Sequence, residues 1–569
     1  MSLRLPANQT AGLFKNGYKS YSSADGAVGR NVEAVNEITN ILLTSMGPCG
    51  KNKIIVNHLQ NIFITNDCST ILGQLDVVHP IVKILIMATQ QQKDEFGDNS
   101  NFLLNFASEL LKNSLHLINL GLKPIEIIQG YNKAKNFILN DESINQILSI
   151  DKITNFLSKS QLTKIIKPVV ASKQYGSEDF LANLIIDSVL NEYIIKNFNV
   201  DSIRVVKIMG STLLNSFAIK GMVFPREPEG HVKSILNKSK VAVFTCPIDI
   251  SATETKGTVL LHNAQEMLDF SKGEENQLDS IIKQIANTGI KVIIANQNIG
   301  ELPLHYLNRY NILALRVPSK FDLRRICRVC GATPLARLGP PMPEEMGTID
   351  IVQTKEIGGD RVTVFQQEND TSLTSTIVIR GATKNNLDDI ERAIDDGISA
   401  IKGLTKDQNL CPGAGATETH LYHLLNQFGD NSSDILQLPI KQFAKSFEII
   451  PRVLSDTAGL NTTEVLPKLF AKHSLVSNKK QAENDSENNN EADDGLFYGI
   501  DIENENGDGI TDIRENGIYD LLCSKKNAIS LATEAVNTIL SVDQIIVAKR
   551  AGGPQMPQQP KPGNWDMAD

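Results

Sequence analysis

Thr65-Asn66-Asp67-Cys68-Ser69-Thr70 places an aspartate between a short β-rich run and an apolar helical one. Two more acidic motifs stand far from it, Gly97-Asp98-Asn99-Ser100-Asn101 and Glu391-Arg392-Ala393-Ile394-Asp395-Asp396. A glycine turn, Pro412-Gly413-Ala414-Gly415-Ala416, follows the third. Such parts suit a metal-bound phosphate chain. Carboxylates hold Mg²⁺, N–H groups at glycine turns and helix N-termini cradle phosphate oxygens, and a spare carboxylate positions water. Each motif alone has a plainer reading. Asp67 would be an N-cap, Gly97–Ser100 a capping turn, and Asp395-Asp396 a solvated helix end.

Working outward, residues 25–46 read as a helix, with Val35, Ile38, Ile41 and Leu42 at helical spacing, stopped by Gly47-Pro48. Lys53–Val56 and Asn61–Thr65 read as a hairpin. Helical patterns then continue to about residue 150. In the middle, β-rich runs at Ile203–Ile208, Val241–Cys246, Val292–Ala295, Leu313–Val317, Val362–Gln366 and Thr376–Ile379 alternate with helical segments, notably Gln277–Thr288 and Phe321–Cys330. That alternation predicts an α/β unit. Helix returns after Leu387 and runs to about residue 470. Ser477–Asp494, acidic and rich in Asn and Ser, predicts a solvated loop. Ala551–Asp569, which holds the only tryptophan, Trp565, predicts a disordered tail. Helical, then α/β, then helical allows the two ends to form one domain with the centre inserted.

The chain has 569 residues, enough for roughly three or four domain-sized units. Its net charge of −9 argues against a nucleic-acid-binding protein. No uncharged apolar run is long enough for a membrane span, and Met1–Asn16 lacks the order of a secretory signal. Seven scattered cysteines, an odd number, fit reduced thiols in the cytosol. Cys327-x-x-Cys330 has no second Cys/His pair nearby and reads as a helix with Leu323, Ile326 and Val329 buried.

With this company the motifs resemble those of group II chaperonins, over about residues 10 to 550. Thr65-Asn66-Asp67-x-x-Thr70-Ile71-Leu72 resembles their TNDGATIL element, and Gly97-Asp98 the start of GDGTT. Asp389–Asp396 resembles the helix ending in their catalytic aspartate, and Pro412-Gly413-x-Gly415-Ala416-x-Glu418 their GGGA-x-E turn. Ser172-Lys173-Gln174-Tyr175-Gly176, Gly221–Phe224, Glu254-Thr255-Lys256-Gly257, Phe270–Asn276 and Asp543–Ile546 look most like the eukaryotic cytosolic branch. The resemblance implies a multidomain α and α/β architecture. Its parts are an equatorial ATP-binding domain (1–152 and 405–569), an intermediate hinge domain (153–220 and 372–404) and an apical domain with a helical protrusion (221–371). It implies a cytoplasmic double ring with seven paralogous subunits, in which ATP hydrolysis drives folding of enclosed polypeptides such as actin and tubulin. It implies no nucleic-acid or membrane partner.

The resemblance also assigns roles. Asp98 becomes the Mg²⁺ ligand, with Asn99, Ser100 and Asn101 beside the ATP or ADP phosphates. Asp396 becomes the water-activating carboxylate, aided by Asp67. Asp395 and Asp396 point about 100° apart on a helix, so only one can face the phosphate; the resemblance, not the composition, selects Asp396. Met46-Gly47-Pro48-Cys49-Gly50 becomes a loop on the phosphates. It is not a Walker A motif, because Ser45 and Asn52 stand at two required positions. Ser172 joins the nucleotide-binding set, Gly413 and Gly415 border ribose and adenine, and Asp512 accepts from ribose. Cys68, Asn99, Asn101 and Ala414 depart from the family pattern. They motivate a second reading, a mainly structural ring subunit that binds nucleotide but hydrolyses it poorly.

Overall fold

The hairpin beside the first motif forms in register, Lys53 opposite Thr65 and Val56 opposite Ile62. Its last residue, Thr65, delivers the chain to Asp67, which caps the helix Cys68–Gln74. The computed structural model describes residues 19–21, 27–57, 59–141, 144, 148–149, 151–153, 158–189, 198–249, 264–367, 374–482, 494–503 and 507–547. The segment Glu254–Gly257, the N-terminal residues 1–16, residues 483–493 and the tail 551–569 with Trp565 lie outside them.

Apolar spacing decides which helices meet. Ala27–Leu43, Ser100–Asn119, Pro124–Asn140 and Leu522–Leu540 bury Val35, Leu42, Leu103, Phe106, Tyr131, Ile529 and Val536 in one core. Phe443 and Phe447 join it, so both ends of the chain supply the same core. Each fully buried side chain of this size contributes roughly 1.5–3 kcal/mol. A second core gathers Ile165, Val170, Ile185, Ile390, Ile394, Ile398 and Ile401 from the helices Lys159–Ala171, Glu178–Val189 and Lys384–Lys406.

The central residues build two sheets. In one, Leu313–Arg316, Ile290–Ala295, Ser239–Phe244 and Pro334–Leu335 run parallel, and Gly347–Ile349 joins antiparallel to Ser239–Phe244. The helices Ala264–Asn287 and Glu301–Arg309 supply Ile282, Ile285 and Leu307 to one face, and Lys320–Cys330 supplies Leu323, Ile326 and Val329 to the other. Both faces are therefore covered, which is why Val241–Phe244 and Val292–Ala295 are continuously apolar. The second sheet is mixed and orders Ile203–Met209, Ser375–Gly381, Phe217–Phe224, Asp360–Gln366, Ile351–Ile357 and Ser234–Ile235.

The structure corrects several expectations. Phe217–Phe224 and Ile351–Ile357 are strands that the pattern missed, because their alternation is broken by Lys220, Gly221 and a run of polar residues. Gln277–Asn287 is the second half of a longer helix, Ala264–Asn287, and Thr288 lies just past its end. The predicted acidic loop does not begin at Ser477, because the helix Thr462–Ala482 runs six residues into it. The helix carrying Asp396 does not end there. It continues to Lys406, so Asp396 sits in its middle.

Candidate functional site

A cavity of about 540 Å³ opens where these elements converge. Met46, Gly47, Asp67, Asp98, Asn99, Ser100, Asn101, Ser172 and Gly415 all line it. Gly413, Asp396 and Asp512 do not.

The backbone requires the glycines and turn residues found here. Gly47 has φ +80°, and a Cβ there would lie 2.7 Å from Leu454 Cδ2. The loop closes through the Gly50 amide to Gly47 O at 3.0 Å and the Lys51 amide to Thr44 O at 2.8 Å. Gly97 ends the helix Pro80–Phe96 at φ 75°, and Asn99 follows at φ 65° as the N-cap of Ser100–Asn119. Asparagine thus adopts the left-handed conformation asked of it. It aims the N-terminus of a 20-residue helix at the cavity, where its free amides favour an anion. A Cβ on Gly97 would lie 2.6 Å from Ser399 Cβ and 3.2 Å from Asp396 Cα, so the helix Lys384–Lys406 rests directly on this turn. Ala414 and Gly415 are both left-handed, at φ 50° and 83°. The alanine costs roughly 1–2 kcal/mol there relative to glycine.

Asp67 is buried and its carboxylate is saturated on one side. Oδ2 accepts from the Ser69 hydroxyl (3.1 Å), the Thr70 amide (3.2 Å), the Thr70 hydroxyl (2.5 Å) and the Lys93 ammonium (2.5 Å). Its other oxygen, Oδ1, lies 3.3 Å from Lys173 Nζ. Lys173 also pairs with Asp396 Oδ2. Burial alone would raise the Asp67 carboxyl, but the Lys173 and Lys93 ammoniums override it and hold it well below the usual carboxylate range. Asp396 is therefore one lysine away from Asp67, just behind the cavity wall. Its neighbour Asp395 is exposed.

Hydrogen bonds join the helix of Asp396 to the rest. The Thr65 hydroxyl donates to Asp389 Oδ1 at 2.8 Å, and Gln174 Nε2 donates to Asp389 Oδ2 at 2.6 Å. Asn66 Nδ2 donates to Ser172 O at 2.9 Å. The Tyr175 hydroxyl donates to the Glu503 carboxylate, and both side chains line the cavity.

Three of the expected positions do not line the cavity. Gly413 packs against Ile518, which its amide reaches at 3.1 Å. Asp512 caps Ile513–Asn516 and pairs with Arg514 at 2.6 Å, so its carboxylate is engaged outside the cavity. Asp520, eight residues later on the strand Tyr519–Leu521, lines the cavity instead. Asp396 itself stands behind the wall as described.

Two lysines escaped the sequence reading. Lys173 lay inside a quoted motif without a role. Lys525 is 5 % exposed and binds Glu418 at 2.7 Å and Asp520 at 2.8 Å. Its signal was visible, because it shares the apolar stripe of Leu522–Leu540 with Ala528, Ile529 and Ala532. Burial would lower its pKa, but Asp520 and Glu418 raise it well above the ordinary lysine value. Burial, with Asp520 beside it, pushes the Asp98 carboxyl up to about 6. Asn66 and Glu418 also line the cavity, and their Oδ1 and Oε2 atoms are buried without a hydrogen-bond partner among the described residues.

Residues 38–550 match the TCP-1/cpn60 chaperonin family. The chain belongs to that family. Its relatives include T-complex protein 1 subunit theta of Saccharomyces cerevisiae, 57% identical, with all of both chains covered. The probable theta subunit of Schizosaccharomyces pombe is 51% identical, again over all of both chains. The human theta subunit is 43% identical over 100% of this chain and 99% of its own. Among the described residues, no helix is long and apolar enough to cross a membrane.

Proposed function

We propose that the chain is a theta-type subunit of a hetero-oligomeric cytosolic chaperonin. It binds and hydrolyses Mg·ATP to drive enclosure and folding of polypeptides such as actin and tubulin, in a double ring with seven paralogous subunits. Residues 1–152 and 405–569 form its equatorial domain, 153–220 and 372–404 the hinge, and 221–371 the apical domain. The observation that carries the reading is Lys173 joined to both Asp67 and Asp396 beside a cavity that Asp98 and a long helix N-terminus also line.

The donor set fits Mg²⁺. Asp98 would offer the ion one carboxylate oxygen and Ser100 its hydroxyl, which leaves coordination free for waters and phosphate oxygens, as this ion prefers. When bound, the ion would offset charge on the phosphates. The amides at the start of Ser100–Asn119 and the Gly47 loop hold phosphate oxygens. Asn66 and Glu418 offer unpartnered acceptors to donors of the nucleotide or its water. Asp520 takes the ribose contact expected of Asp512, since it alone of the two lines the cavity.

Asp396 orients the attacking water and accepts its proton, and Asp67 helps to orient it. For this Lys173 must leave the gap between them, and a γ-phosphate is the anion that would draw it away. Asp396 rides on a helix that packs directly on the Gly97 turn, so hydrolysis depends on that contact being held.

A second reading, nucleotide binding with poor hydrolysis, draws on the same lysine, which in this conformation neutralises both carboxylates. Asp396→Ala in the assembled ring separates the two. The active reading expects this subunit's turnover to fall at least about 100-fold with nucleotide still bound, and protease-resistant lid closure to weaken. Unchanged turnover and closure would leave the structural reading.

A further inference from the structure

Asp67 receives three of its four Oδ2 donors from its own turn, Ser69 and Thr70. The fourth comes from elsewhere. Lys93 sits in the last turn of Pro80–Phe96, four residues before Gly97, and reaches Oδ2 at 2.5 Å. It also donates to the Thr70 hydroxyl at 3.4 Å. Lys93 does not line the cavity and so touches no nucleotide there.

We propose that Lys93 is a positioning residue for ATP hydrolysis, pinning Asp67 Oδ2 so that Oδ1 alone faces Asp396 and the reacting water. The proposal rests on the ATPase reading above and deepens it. Without Lys93 the only cation on Asp67 among the described residues is Lys173, on the opposite oxygen. Three neutral donors remain on Oδ2, and because a charge-assisted hydrogen bond is roughly twice as strong as a neutral one, losing Lys93 removes the strongest single anchor of that oxygen. The carboxylate then loses its fixed orientation, and Oδ1 no longer holds one position toward Asp396 once Lys173 withdraws. Lys93 also ties Asp67 to the helix whose end forms the Gly97-Asp98 turn, so one side chain sets the spacing between two cavity carboxylates.

The test uses the full chain in its assembled ring, with the other subunits' ATP sites inactivated. Lys93→Met keeps the aliphatic stem and removes the charge; Lys93→Arg keeps the charge. We expect Met to lower kcat about 10-fold with KM within about twofold, and Arg to recover most of it. Hydrogen exchange at the Thr70 amide, which donates to Asp67, rises in the Met variant without nucleotide and returns to normal with Arg. Lys93→Gln repeats the test should the Met chain not assemble. Normal kcat in the Met variant overturns the proposal alone. Equal losses in Met and Arg also overturn it, because they would mark a packing role. No turnover by the unsubstituted chain overturns the ATPase reading, and this one with it.

Discussion

Gly97→Ala tests whether contact between two distant segments controls the chemistry. The new Cβ would lie 2.6 Å from Ser399 Cβ and 3.2 Å from Asp396 Cα, where ordinary contact begins at 3.4 Å. The helix Lys384–Lys406 must therefore recede by about 0.8 Å, taking Asp396 with it, and a shift near 1 Å costs roughly 100-fold in rate. That equals about 2.7 kcal/mol in the barrier. Alanine at φ 75° adds roughly 1–2 kcal/mol of strain to the ground state, which lowers stability rather than the chemical step. The assay is single-turnover ATP hydrolysis in a ring whose other sites are inactivated, alongside nucleotide affinity. We expect the rate to fall about 100-fold and affinity to change less than threefold, because the phosphate-binding helix starts beyond Gly97. Adding Ser399→Gly removes the closest clashing atom, Cβ, together with Oγ at 3.2 Å, and should restore about tenfold. Turnover within twofold of the unsubstituted chain, or no recovery in the double variant, would refute the coupling.

Two further predictions concern stability. Lys525→Met leaves Glu418 and Asp520 without their cation, and breaking a buried pair in this way costs about 3–5 kcal/mol, read as a lower urea midpoint; an unchanged midpoint would count against it. His473 is fully buried and its Nε2 meets Tyr498 O at 2.9 Å, while burial pushes its pKa from 6.5 down to about 4. The imidazole stays neutral in the fold and charges in the unfolded chain, so its stability contribution is complete above pH 6.5 and is lost as pH falls toward 4. At pH 5 that loss is about 2 kcal/mol. His473→Gln should remove this part of the pH dependence in urea titrations, and an identical pH profile would contradict the assignment.

Local chemistry was legible where a residue's surroundings are its own neighbours in sequence. Asp67 caps its helix because Ser69 and Thr70 follow it, and Asn99 turns left-handed because the Gly97-Asp98 turn demands it. The hairpin register, the buried faces of Val241–Phe244 and Val292–Ala295, and the stripe Ile394, Ile398 and Ile401 follow from side-chain period alone. The acidic motifs, read together, pointed to a phosphate site before any contact was known.

Tertiary structure decided which charges meet. Nothing in Asp512-Ile513 or Tyr519-Asp520 distinguishes the two carboxylates. Arg514, two residues on, takes one, and the cavity receives the other. Asp396 reads locally as part of an acidic helix end, yet it sits mid-helix against a lysine 223 residues away. Periodicity reports which face of an element is apolar, because burial is a property of that element. It is silent on partners, because an ion pair depends on the distance between two elements that only the packed cores bring together.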